Sequence, residues 1–150
     1  MTQFIFFSGK GGVGKTSMAC TYAVHFADKG RRTLIVTTDP ASNLADVFEQ
    51  QIGHHITPIV GVPNLSAMEI DPDKATQEYI DRAMAPLRAT FPLQMVQVME
   101  EQMSGPCTAE VAAFDRFTDF LDVPADNGAV FDVVIFDTAP TGHTIRLLEL

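Results

Sequence analysis

The sequence predicts an α/β fold built on a mostly parallel sheet. Short apolar runs rich in β-branched and aromatic residues recur at 4–8, 33–38, 65–70 and 131–136, each the length of a buried strand. Helix-compatible stretches separate them, which is the alternation that parallel strands require. Two of the runs end at an acidic residue, Asp39 and Asp137, and the first leads into a glycine-rich turn.

Taken in order, residues 4–8 form the first strand, and 16–28 form a helix ended by Gly30. Residues 33–38 are a buried strand that Asp39-Pro40 closes, and 42–48 form a short helix. Residues 52–63, with their prolines, glycines and the pair His54-His55, read as a loop before the strand at 65–70. Helices follow at 73–84 and 93–103, separated near Pro86 and Pro92. A further helix at 108–121 sets Val111, Phe114, Phe117, Phe120 and Leu121 near one face. Residues 131–136 form the last strand, and 144–150 a helix just begun, with no cap after it.

The 150 residues suggest one domain, and 46% hydrophobic content is enough for a core. The missing cap, and the strands a doubly wound sheet usually carries beyond its phosphate-binding turn, predict that residues 1–150 are the N-terminal part of a longer protein; the alternative is a minimal domain with one sheet edge exposed. The net charge of -9 and pI near 4.7 argue against nucleic-acid binding, which needs a basic face. No apolar run has the length of a membrane span. Two cysteines, Cys20 and Cys107, give no disulfide framework, and a cytosolic protein fits these features.

Gly9, Lys10, Gly11, Gly12, Val13, Gly14, Lys15 and Thr16 match G-x-x-x-x-G-K-[ST], the phosphate-binding loop. Glycines let backbone N–H groups close around phosphate oxygens, and the helix that follows, starting near Ser17, adds its positive end. Lys15 can neutralise the β- and γ-phosphates of ATP, and the Thr16 hydroxyl can ligate Mg²⁺. Asp137, just past an apolar strand, sits where a parallel sheet places a carboxylate for Mg²⁺, held through water. Asp39 ends the neighbouring strand on the same side and can touch the Mg²⁺ shell or the attacking water, or can be a turn residue before Pro40. Asp46 can orient that water, or can be a solvated helix residue.

Lys10 is a second lysine inside the loop. GKGGVGKT resembles the deviant phosphate-loop NTPases, and that likeness gives Lys10 the role of a charge supplied in trans across a dimer or pseudo-dimer. Its other reading is a solvated loop lysine. GKGGVGKT, TTDPASNLADVF, LSAMEIDP, SGPCTAEVAAFDRF and DTAPTGHTIRLLEL, in that order, resemble the N-terminal nucleotide-binding half of the arsenical pump-driving ATPases. The resemblance implies ATP hydrolysis with Mg²⁺, As(III) or Sb(III) as effector, and Cys107 and His143 as metalloid ligands. It also implies a membrane arsenite efflux channel as partner, a second nucleotide-binding half or a homodimer partner, and a cytoplasmic protein peripheral to the inner membrane when bound to that channel. Without it, Cys107 is an ordinary small residue starting a helix. The tail-anchored-protein targeting ATPases share the fold and both switch regions, and Asp46 of NLADVF matches the aspartate associated with their catalysis.

Cys20 reads as a core residue and His54-His55 as a solvated loop pair. Met95, Met99 and Met103 lie at i, i+4, i+8, either a core or interdomain face or a groove for apolar helices.

Overall fold

β1 (Gln3–Phe7) lies at one edge of a five-stranded sheet with the order β1-β5-β2-β4-β3. In this computed structural model, residues 2–8, 14–38, 44–119 and 131–138 are described. The other elements are α1 (Lys15–Asp28), β2 (Thr33–Thr37), α2 (Leu44–Val47), β3 (Thr57–Pro58), β4 (Leu65–Glu69), α3 (Pro72–Arg88), α4 (Leu93–Met103), α5 (Pro106–Thr118) and β5 (Val133–Asp137). The chain divides into two compact units, one drawn from Met1–Asp71 and Val123–Leu150, the other Pro72–Asp122.

In the first unit β1, β5, β2 and β4 are parallel, and β3 runs antiparallel at the far edge. β2 and β5 are buried along their whole length, as their unbroken apolar runs require. α1 turns Ala19, Cys20, Ala23 and Ala27 onto Ile35, Leu65, Ala67, Val133 and Ile135. These side chains are small, so helix and sheet approach closely. The alternate residues Leu34, Val36, Met68, Val134 and Phe136 are buried on the other face of the strands. There Phe136 stacks on Phe6 with ring centroids 5.1 Å apart and on Phe4 at 6.4 Å. Gly30 (φ 78°) ends α1: its N–H donates to Ala27 O, and the Arg31 N–H reaches back to Phe26 O. That is the paired closure a left-handed residue after a helix allows.

The ends of the strands differ. At the N-terminal end Arg32 grips Asp132 through Nη2 to Oδ1 (3.1 Å) and its backbone N–H to Oδ2 (2.9 Å). Arg31 donates to Gln3 Oε1 and the Asp132 carbonyl, and lies 5.1 Å above the Phe26 ring. Arg32 holds the Asp132 carboxyl below the usual carboxylate range.

In the second unit Ile80 and Met84 of α3 pack on Val96 of α4, with Leu87, Met99 and Met103 around them. Arg88 joins Asp81 to Glu100, and Arg82 pairs with Asp115 of α5.

The expected strands and the helix at 93–103 appear within a residue or two of where the pattern set them. Two expectations need correction. The stretch 52–63 is not all loop, because Thr57 and Pro58 pair with Ala67 and Ser66 as β3. Pro86 does not end α3, which continues to Arg88. Leu87 packs on the Ile80–Met84–Val96 cluster and Arg88 is held by two carboxylates, so packing outweighs the one backbone bond that proline removes. On α5, Val111 is 43% exposed and Ala112 is the buried residue. The Phe114 and Phe117 side chains, and Phe120 and Leu121, lie outside the described residues, as does 144–150.

Candidate functional site

The loop sequence enters α1 through Gly14, which sits at φ 81°, ψ 19°, a conformation that favours glycine. The Gly14 carbonyl accepts the first helical bond, from Met18 N–H. Lys15 and Thr16 therefore fall in the first turn of α1, above the C-terminal ends of the central strands. β5 ends there with Asp137, in register with Phe7 of β1 and Thr37 of β2.

These elements bring three predicted residues together. The Thr16 hydroxyl donates to Asp137 Oδ2 at 2.6 Å. Lys15 Nζ donates to the Thr138 carbonyl at 2.6 Å and lies 3.4 Å from Asp137 Oδ1. The Asp137 side chain is fully buried and that of Lys15 is 7% exposed. A buried carboxylate is tolerated only when paired, and Lys15 and Thr16 provide the pairing. Asp137 Oδ1 is nevertheless sealed from solvent without a hydrogen-bond donor. The Thr16 hydroxyl and the Asp137 carboxylate are hard oxygen donors that suit a hard, water-keeping divalent cation such as Mg²⁺. Thr138 N–H donates to Phe7 O, and Thr38 N–H to Asp137 O, so the rim backbone is fixed on both sides of the carboxylate.

Cys20, one helical turn below Thr16, is buried in the α1 core as expected. Burial, reinforced by the Asp137 charge, pushes its thiol up to about 12, so it stays neutral. Ser17 is exposed in the first turn of α1, its carbonyl accepting from Thr21 Oγ1. Asp46 is exposed on α2, and among the described residues it makes no hydrogen bond or ion pair. Cys107 is exposed as the second residue of α5, in the other unit. Among the described residues no group of three or more His, Cys, Asp or Glu is arranged to hold a metal. Gly9, Lys10, Gly11, Gly12, Val13, Asp39 and His143 lie outside the described residues.

His54 is a structural partner in place of a freely solvated side chain: its Nδ1 accepts the Asp71 N–H at 3.0 Å. One carboxylate escaped the sequence reading. Glu69 ends β4 in register with Thr37, and its Oε1 is buried without a donor. Its position as the last residue of an alternating strand, two strands from Asp137, was the available signal.

A phosphate-loop sequence feeding a helix whose lysine and threonine meet a buried strand-end aspartate defines a phosphate-loop nucleotide-binding fold. The profile of the family described as anion-transporting ATPase matches residues 2–150, and the chain belongs to that family. It is 54% identical over 147 residues to an arsenical pump-driving ATPase of Escherichia coli, covering 98% of this chain and 25% of that protein. It is 53% identical over 147 residues to the arsenical pump-driving ATPase of Acidiphilium multivorum, with the same coverage. It is 37% identical over 157 residues to the ATPase GET3 of Kluyveromyces lactis, covering 99% of this chain and 45% of that protein. The chain thus spans about a quarter of the length of the arsenical pump-driving relatives.

Proposed function

We propose that this chain carries an ATP-hydrolysing site that energises arsenite or antimonite efflux through a membrane partner. The observation that carries the ATPase reading is the convergence of Lys15 and Thr16 on the buried Asp137. The metalloid reading is supported by relatives above 50% identity whose names say arsenical pump-driving ATPase.

ATP binds with its phosphates over the first turn of α1, cradled by Gly9–Thr16 and Ser17. Lys15 moves its ammonium onto the β- and γ-phosphates, giving up its bond to the Thr138 carbonyl and its 3.4 Å approach to Asp137. Thr16 and Asp137 would hold Mg²⁺, the aspartate through water, and Asp39 would contribute to the same ion or to the attacking water. The bound Mg²⁺ supplies charge neutralisation on the phosphate oxygens. Asp46 orients the attacking water, and Lys10 acts across a second nucleotide-binding half or a homodimer partner. Asp137 is joined directly to Thr138, so loss of the γ-phosphate contact to Lys15 passes into the segment that leads to His143. Cys107 and His143 provide soft and borderline ligands for As(III) or Sb(III). Among the described residues no helix is long and apolar enough to cross a membrane. In this reading the protein is cytoplasmic and lies peripheral to the inner membrane when bound to a separate channel.

The second reading is a tail-anchored-protein targeting ATPase. The exposed apolar side chains Leu93, Met95 and Val98 on α4 favour it, since they suit contact with an apolar helix. The two readings separate in one assay. As(III) or Sb(III) should raise ATP turnover several-fold, and Cys107→Ser should remove most of that increase. Equal stimulation of wild type and Cys107→Ser refutes the metalloid role of Cys107. A wild type that ignores metalloid but retains hydrophobic tail helices supports the targeting reading.

A further inference from the structure

A fourth side chain shares the rim on which Asp137 sits. Register across the parallel strands aligns Phe7, Asp137, Thr37 and Glu69 in one row at the C-terminal end of the sheet. Paired residues on neighbouring parallel strands project to the same face. For this row the face is that of α1, because Asp137 meets Thr16 and Lys15, and the residues two positions back, Ile135, Ile35 and Ala67, pack with Ala19, Cys20 and Ala23. Glu69 therefore stands on the α1 face of the rim. Its Cα is two strand spacings, about 10 Å, from that of Asp137.

The backbone around Glu69 is fixed from both sides. Its N–H donates to Gly53 O at 2.9 Å, and the Ile70 N–H donates to Thr37 O at 2.9 Å. The side chain is thus delivered by the strand and not by a loop. Among the described residues its Oε1 is sealed from solvent and has no hydrogen-bond donor, although the residue as a whole is partly exposed. An ionised carboxylate is acceptor-only, so a buried oxygen of this kind requires a donor or a cation. A phosphate oxygen is excluded as its partner by like charge. A water bound to a divalent cation is a strong donor and suits it.

We infer that Glu69 is a positioning residue of the nucleotide site, accepting hydrogen bonds from water in the Mg²⁺ coordination shell on the side opposite Asp137. The inference rests on the ATP·Mg²⁺ reading of the Lys15–Thr16–Asp137 cluster. Mg²⁺ binds water at about 2.0–2.1 Å, which places an acceptor of that water about 4–5 Å from the ion. Two carboxylates about 10 Å apart at Cα can therefore hold one hydrated ion between them. Thr37 lies between them in the row and is buried.

The test is a titration of Mg²⁺ into the ADP-loaded protein, read by calorimetry and not by turnover. Glu69→Gln keeps the shape but removes the charge. It should raise the half-saturating Mg²⁺ concentration about 10-fold. ADP affinity without metal, and the thermal midpoint in metal-free buffer, should stay at wild-type values, and Glu69→Asp should recover part of the Mg²⁺ affinity. An unchanged Mg²⁺ half-saturation in Glu69→Gln overturns the inference. So does a fall in metal-free midpoint and metal-free ADP affinity together, which assigns the carboxylate to holding the fold. A wild type that binds ADP but shows no Mg²⁺ saturation overturns the ATP·Mg²⁺ reading and Glu69 with it, whereas wild-type saturation with an indifferent Glu69→Gln removes Glu69 alone.

Discussion

The two ends of the central strands spend their charges differently. At the N-terminal end Arg32 and Asp132 are paired in solvent, 52% and 39% exposed, and Arg31 and Arg32 both donate to Asp132. At the C-terminal end Lys15 and Asp137 are 7% and 0% exposed, and among the described residues Asp137 Oδ1, though 3.4 Å from Lys15 Nζ, and Glu69 Oε1 have no hydrogen-bond donor. A solvated, fully matched pair does little beyond holding strand ends together. A buried, incompletely matched one carries a desolvation cost that a ligand can relieve. Polar groups at the first end therefore serve the fold, and we propose that those at the second serve binding.

The sharpest way to break this contrast is at Asp137. Asp137→Asn keeps an acceptor for the Thr16 hydroxyl but loses the charge that organises the metal. ATP turnover should fall about 100-fold, with nucleotide affinity changed far less. Turnover close to wild type in a steady-state assay would place the metal-holding carboxylate elsewhere.

The smaller effect belongs to the other end. Asp132→Asn should lower the thermal midpoint slightly and leave ATP turnover unchanged. Because Arg32 depresses the Asp132 carboxyl, this stabilisation is present in full above the unfolded value of about 3.9 and is lost as pH falls through the lower folded value. Melting curves of the variant and wild type should thus differ near neutrality and converge in acid. A difference that persists once the carboxyl is protonated would assign the effect to packing instead of charge.

Much of the functional end was legible in the sequence. A lysine and threonine after a glycine turn, and an aspartate after the run Val133–Phe136, are local patterns whose meeting follows from parallel topology. The remainder depended on packing. β3 is two residues long and contains Pro58, so it exists only because Ala67 and Ser66 offer an edge. Pro86 reads as a helix end, yet Leu87 and Arg88 have partners that carry α3 past it. The orphaned oxygen of Glu69 is visible only once register and burial are known. The division at Asp71 and Pro72 has no linker signature, and the length alone suggests one domain.

The central claim is that the C-terminal rim binds ATP with Mg²⁺ through Lys15. Calorimetric titration of ATP with Mg²⁺ into wild type and Lys15→Ala tests it most directly. Saturable binding to wild type, with none detectable in a Lys15→Ala protein that melts like wild type, is the predicted result. Wild-type affinity in Lys15→Ala would contradict the account.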